Sequence, residues 1–157
     1  MAKKSKLLLF AASLTALGTY AYVSANIALA QAYKPVLVTR LFTGADGLTH
    51  AEDILVKLSG DPQNQASEML RASGAEIHRY PSGHVNDWHV APRRQLVITV
   101  MGKGEIEVAG GKRIAIGLGH ILLVEDLTGK GHITRVVGNE DRVTVQVPLS
   151  GPVGSLR

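Results

Sequence analysis

Residues 95–116, QLVITVMGKGEIEVAGGKRIAI, contain the pattern that decides the fold. Polar and apolar residues alternate in Glu105–Val108, isoleucine stands at every second position of Arg113–Ile116, and Gly110-Gly111 lies between the two runs. Alternation with a period of two turns one face of each run toward a core, and a glycine pair supplies the turn of a β-hairpin. The segment therefore predicts antiparallel strands and no helix.

The same rhythm continues on both sides of this hairpin. Nine short strands are expected between Val36 and Val147, separated by glycine-rich turns. No helix-length segment alternates with them, so an all-β sandwich or barrel with one core is predicted. Residues 33–74 would supply N-terminal strands and a loop, residues 75–148 the barrel core, and residues 149–157 a C-terminal tail.

Residues 1–32 are predicted to form a targeting segment. Three lysines precede the stretch 7–30, which contains no charged residue, and Ala30-Gln31-Ala32 has the small residues that signal peptidase accepts. A hydrophobic helix here would be either a cleaved signal peptide or an uncleaved inner-membrane anchor, and residues 7–30 are then the expected contact with a membrane. Both alternatives place the remaining chain outside the cytoplasm, in the periplasm or secreted.

Composition narrows the function classes. The 157 residues include no cysteine, which excludes disulfides, a cysteine-ligated metal and a thiol nucleophile. Three of the 17 basic residues lie in the leader, so residues 33–157 carry 14 basic and 13 acidic side chains. A nearly neutral domain has no electrostatic basis for binding nucleic acid, so no nucleic-acid partner is expected.

Residues 83–102 contain polar side chains of the types that bind metals or catalyse reactions. Their layout resembles the first motif of the cupin family, in which two histidines spaced H-x-H precede a glutamate and, seven residues later, a glycine. Asp87 and His89 stand at the paired positions, and Gln95 stands at the glutamate position before Gly102. The stretch 117–132 resembles the second motif, with His132 at its histidine. The sequence WHVAPRRQ at 88–95 is also similar to a subgroup of small exported bacterial cupins.

This resemblance implies one cupin-like barrel, a jelly roll or double-stranded β-helix, with its motif residues pointing inward. Many cupins bind a divalent metal and act as dioxygenases, isomerases, lyases or sugar-processing enzymes, whereas others bind small molecules without metal. Cupin-like barrels also commonly pair through sheet edges, which implies a homodimer.

Strand geometry is compatible with a metal site. Asp87 and His89 are two residues apart, so their side chains share one face of an extended strand. With Gln95 and His132 they would form a set of two oxygen and two nitrogen ligands, which suits manganese or ferrous iron. The alternative is a metal-free polar pocket, in which His132 or His89 acts as a general base oriented by Asp87. His84 could also replace Asp87 as a ligand.

Neighbouring residues are candidates for substrate binding. Thr99 follows Gln95 on the same strand face, and Thr134 follows His132 on its own. Arg93 could hold a substrate carboxylate through its guanidinium, but of the adjacent Arg93 and Arg94 at most one can face inward. Glu125-Asp126 is expected to be a solvated loop pair.

Three functions remain open at this point. The first is a metal-dependent enzyme, of dioxygenase, isomerase or lyase type, acting on a small organic molecule. The second is a non-catalytic binding module for a small molecule or a sugar. The third is an anchored accessory protein that assembles through its exposed strands. Fold alone does not choose between an enzyme and a binding module.

Overall fold

The computed structural model describes residues 34–151, and the predicted targeting segment 1–32 lies outside that range. The described residues contain twelve β-strands and one short 3₁₀ turn, Ala109–Gly111. The strands are β1 (Leu37–Thr43), β2 (Thr49–Leu55), β3 (Ser59–Asp61), β4 (Asn64–Ala66), β5 (Glu76–Tyr80), β6 (Val85–His89), β7 (Gln95–Met101), β8 (Gly104–Glu107), β9 (Arg113–Ile116), β10 (Ile121–Glu125), β11 (His132–Val136) and β12 (Arg142–Pro148). The predicted all-β class is thus confirmed for residues 34–151. Within them, no helix has the length and apolar character needed to span a membrane.

Ten of these strands form two sheets. The larger sheet has the order β2-β1-β10-β7-β12-β5, and the smaller has the order β6-β11-β8-β9. Strands β3 and β4 form a separate hairpin. Neighbouring strands are antiparallel except β1 and β10, which run parallel. The predicted hairpin is β8 and β9, with Ile106 opposite Ile114.

A hydrophobic core fills the space between the two sheets. Leu41, Val97 and Leu122 from the six-stranded sheet belong to one buried cluster with Ile106 and Ile116 from the four-stranded sheet. Leu41 and Ile116 have no exposed surface at all. Burial of large aliphatic side chains supplies most of the driving force for folding, so this cluster fixes how the sheets face each other.

The six-stranded sheet is covered on its other face as well. Leu122 and Leu123 are adjacent on β10, so their side chains point to opposite faces, and each lies in a different buried cluster. The second cluster also contains Val38, Ile54 and Leu96, with Leu70 packed against it. Because β10 is buried on both faces, its sequence is apolar at consecutive positions and does not alternate.

Three strands beyond the nine expected have sequences without apolar alternation. Every residue of β3 and β4 is exposed, and β6 has only His89 partly buried. Such strands are held by their backbone partners and do not show the two-residue period that marks a buried face. Near the C-terminal end of the described residues, the Leu149 amide donates to the Arg94 carbonyl. Ordered pairing therefore continues past residue 148, where the predicted tail begins.

Candidate functional site

A cavity of about 210 Å³ lies between the sheets. Its floor is apolar and includes Val97, Ile106 and Leu122 from the core. Its polar wall comes from strands of both sheets. The polar residues that line it are His78, Tyr80, His84, Asn86, His89, Gln95, His132, Thr134, Arg142 and Gln146. An apolar floor with a few polar groups is typical of a small-molecule site.

His132 is held in the cavity wall by a buried carboxylate. Its Nδ1 lies 2.6 Å from Oδ2 of Asp126, and Oδ2 also accepts a hydrogen bond of 3.0 Å from the Thr49 hydroxyl. Asp126 and Thr49 are completely buried, and His132 is 4% exposed. Because a carboxylate only accepts hydrogen bonds, Nδ1 of His132 carries a proton, and Nε2 is left for the cavity.

The other oxygen of Asp126, Oδ1, is buried and has no hydrogen-bond partner among residues 34–151. A buried carboxylate with one unsatisfied oxygen is unfavourable unless positive charge stands nearby. Asp126 was expected in a solvated loop pair, but it is completely buried, so that expectation is wrong.

His89 lies directly against His132. Their ring centroids are 4.4 Å apart, and the two residues face each other across β6 and β11. His89 donates from Nδ1 to the Asp87 carbonyl at 2.7 Å, and Asn86 donates from Nδ2 to Nε2 of His89 at 3.0 Å. Burial lowers the pKa of His89 below its ordinary 6.5, and the neighbouring His132 lowers it further. His89 is therefore a neutral ring at pH 7.

A β-bulge in β6 decides which of its side chains face the cavity. His89 is opposite His132 and Asn86 is opposite Thr134, so three steps along β6 match two along β11. The extra residue shifts the alternation, which places Asn86 on the cavity wall beside His89. Asp87 is exposed, does not line the cavity, and accepts a hydrogen bond from the Trp88 amide. The expected shared face of Asp87 and His89 does not form.

Gly131 makes this close contact between β6 and β11 possible. Its φ is +75°, and a Cβ at this position would lie 2.0 Å from the His89 carbonyl oxygen. Glycine adopts this conformation without strain and leaves room for the approaching backbone. Glycine at the residue before His132 therefore permits the close approach of the His89 backbone.

Gln95 lines the cavity as expected, but both ends of its amide are engaged. Oε1 accepts from Nε of Arg93 at 3.0 Å, and Nε2 donates to Oε1 of Gln146 at 3.0 Å. Gln146 in turn donates to the Tyr80 hydroxyl at 2.9 Å. These bonds form a continuous row along one wall and hold Gln95 in place.

The candidate substrate residues are separated. Thr134 lines the cavity, whereas Thr99 is buried behind it and Arg93 is on the surface, paired with Glu76. Arg94 is paired with the buried Glu125 on the other side of the sheet. His84, the alternative to Asp87, does line the cavity.

The four predicted metal ligands do not converge. His89 and His132 are adjacent, but Asp87 points away from the cavity and the carbonyl oxygen of Gln95 is bonded to Arg93. Across residues 34–151, no three histidine or acidic side chains are arranged to share an ion. The donor groups at this cavity therefore do not fit the divalent metal that the resemblance implies.

No protein-family model matches the chain, and no curated protein matches it. An RmlC-like cupin from Desulfovibrio desulfuricans is 15% identical, with a TM-score of 0.37 over 71% of this chain and 81% of that chain. A cupin domain from Bordetella pertussis is 12% identical, with a TM-score of 0.40 over 76% and 98%. The Cnp3 cupin domain of Schizosaccharomyces pombe is 13% identical, with a TM-score of 0.39 over 75% and 90%. All three are described as cupins.

Proposed function

We propose that the protein binds a small organic molecule in the cavity and that His132 transfers a proton on it, as isomerases and lyases require. The observation that supports this is the buried pair of Asp126 and His132, with the ring at the cavity wall. A histidine held by a carboxylate through Nδ1 has a fixed tautomer, and its Nε2 is ready to accept a proton.

The chemistry follows from the positions of these groups. Nε2 of His132 takes a proton from a C–H next to a carbonyl, and the electron pair moves to the carbonyl oxygen. The imidazolium then stands against the Asp126 carboxylate, which stabilises it. Return of the proton to another atom completes an isomerisation, and loss of a neighbouring leaving group completes an elimination. His89, neutral and fixed by Asn86, borders the reacting centre.

We do not propose a metal-dependent form of this activity. It needs ligands that converge, whereas the Asp126 carboxylate is bonded to Nδ1 of His132 and Asp87 lies outside the cavity. The predictions of export for the chain after residue 32 and of a homodimer are retained as proposals. Cell fractionation tests the first and light scattering the second, since a cytoplasmic protein or a monomer would contradict them.

Deuterium exchange tests the proposed function without knowledge of the product. The full chain is incubated in D₂O with a panel of small carbonyl compounds, hydroxy acids and sugars, and C–H to C–D exchange is followed by NMR. Exchange is expected for at least one compound class. His132→Gln should reduce it by roughly 10²-fold or more. His50→Gln is the matched control, because His50 is paired with Asp46 on the surface.

Each outcome has a clear meaning. Exchange that persists in His132→Gln would exclude His132 as the base. Binding without exchange for every compound would overturn proton transfer and support the second candidate, a non-catalytic binding module.

A further inference from the structure

Arg142 is a buried cation in the cavity wall. Its side chain lies on β12, is 3% exposed and lines the cavity. Nε and Nη2 both donate to the Thr99 hydroxyl, at 3.2 and 3.0 Å. Within residues 34–151, no carboxylate forms an ion pair with Arg142 and nothing accepts a hydrogen bond from its Nη1.

The guanidinium keeps its charge in this position. Burial lowers the pKa of Arg142 to about 10, which still leaves it protonated at neutral pH. The titratable groups near it are the Tyr80 hydroxyl and His120, whose pKa is lowered by burial, raised by Asp53 and lowered by Arg142. A buried charge without a partner is costly, so a native protein that retains one has a use for it.

The cavity wall contains no counter-charge. None of its lining residues is aspartate or glutamate. Asp126 is directed to Thr49 and His132, and the bulge in β6 keeps Asp87 outside. Among the lining residues, which all fall within 34–151, Arg142 is the single arginine or lysine, and its charge favours an anion in the cavity.

We infer that Arg142 is the anchor for a carboxylate of the bound molecule. The edge of the guanidinium that carries Nη1 is not used by Thr99, and guanidinium and carboxylate groups match in shape and charge. A volume of about 210 Å³ corresponds to roughly seven waters at ~30 Å³ each, which fits a short carboxylic acid. This assignment rests on the proposed function, since it names the substrate class for the same cavity.

Binding of short carboxylates tests the anchor separately from catalysis. Lactate, glycolate and malonate are titrated into the full chain by calorimetry, with lactamide and glycolamide as uncharged counterparts. Wild type should bind the carboxylates and bind the amides at least roughly tenfold more weakly, because the amides lose a charged hydrogen bond. Arg142→Met should remove this preference.

Substitutions of Arg142 and Arg79 separate loss of the anchor from loss of folding. Arg142→Met is expected to fold, because replacing a buried charge by an apolar side chain is often neutral or stabilising. Should it not fold, Arg142→Lys keeps the charge but loses the planar fork, and it should bind lactate more weakly than wild type. Arg79→Met is the control, since Arg79 is 71% exposed on the neighbouring strand β5.

The anchor is overturned if wild type binds none of the carboxylates, if lactamide binds as tightly as lactate, or if Arg142→Met retains wild-type affinity for lactate. His132→Gln should bind lactate normally and fail only in deuterium exchange. Wild-type protein that binds carboxylates but catalyses no deuterium exchange would contradict the proposed function alone, and exchange by wild type on uncharged compounds only would contradict the anchor alone.

Discussion

Nδ1 of His132 and Oδ2 of Asp126 lie 2.6 Å apart, with side chains that are 5% and 0% exposed. The protein contains a second aspartate–histidine contact, between Asp46 and His50, at 2.9 Å, but both of those side chains are about half exposed. Water screens the surface pair and leaves it mobile, whereas burial fixes the ring of His132 in one orientation. The two pairs therefore allow a matched comparison of the same chemical groups in two environments.

Replacing Asp126 by asparagine should disturb the tautomer of His132. An amide can donate as well as accept, so Nδ1 would no longer be held in its protonated form. Nitrogen NMR should detect a mixture of ring tautomers, and deuterium exchange should fall by roughly 10²-fold. Asp46→Asn serves as the control and should leave both measurements unchanged. An Asp126→Asn variant with wild-type exchange would show that the carboxylate has no role in proton transfer.

Glu125 should be a strong determinant of stability. Its side chain is 5% exposed and forms ion pairs with Arg40 and Arg94, which are 17% and 11% exposed. Within residues 34–151, Glu125→Gln leaves the poorly hydrated Arg94 without a counter-charge and leaves Arg40 with only Glu52, so we expect a loss of about 3 kcal/mol in the free energy of unfolding. Urea denaturation measures it. Glu76→Gln, at an exposed ion pair with Arg93, should have a clearly smaller effect, and equal effects would contradict the explanation.

Gly131→Ala should damage both stability and the site. The methyl group would meet the His89 carbonyl at 2.0 Å in a backbone conformation that alanine avoids. We expect a loss of roughly 3 kcal/mol and weaker deuterium exchange, because β6 must move away from β11. Gly119→Ala is the control, since Gly119 has φ +78° but no atom within 4 Å of the added Cβ. It should cost only about 1 kcal/mol.

Stability should fall as the pH is lowered from 7 to 5. His120 has a buried Nε2 without a partner among residues 34–151, and burial lowers its pKa below 6.5. Near pH 6.5 His120 binds a proton in the unfolded chain but not in the folded chain. Lowering the pH therefore favours unfolding. His120→Asn should make the dependence on pH shallower in denaturation curves at several pH values. An unchanged slope would mean that His120 contributes nothing to it.

Metal content should be well below one equivalent in the full chain. Two imidazoles without a converging carboxylate make a weak site for manganese or iron. Mass spectrometry after incubation with a panel of divalent ions measures the bound metal, with His89→Ala and His132→Ala alongside. Close to one equivalent in wild type that disappears in both variants would restore the four-ligand centre expected from the sequence.

The strands with a buried face could be predicted because their side chains alternate. The hairpin of β8 and β9 has Ile106 opposite Ile114, and its period of two is plain in the sequence. Asp126 could not be assigned in the same way. Its contact with His132 depends on how β10 and β11 meet, although the two residues lie six apart in the chain. The available signal in the sequence was an acid directly after β10 and a histidine at the start of β11.

The residues on the cavity wall were predicted only in part, for a reason found in β6. His89, Gln95, His132 and Thr134 line the cavity, and these positions follow from simple alternation. Asp87 does not, because alternation cannot reveal a bulge. Arg142 was missed because a lone arginine in a strand is most often a surface residue.

The bulge in β6 also determines which side chains an insertion or deletion in this strand would bring to the cavity. One extra residue reverses the parity of every position before it, so even-numbered His84 and Asn86 border the cavity together with odd-numbered His89. Insertions or deletions of a single residue between positions 86 and 89 would exchange this set for Val85 and Asp87. An acidic side chain would then enter a space whose fixed charge is positive. A one-residue change in length, with no substitution at all, could therefore convert an anion-selective cavity into a neutral one.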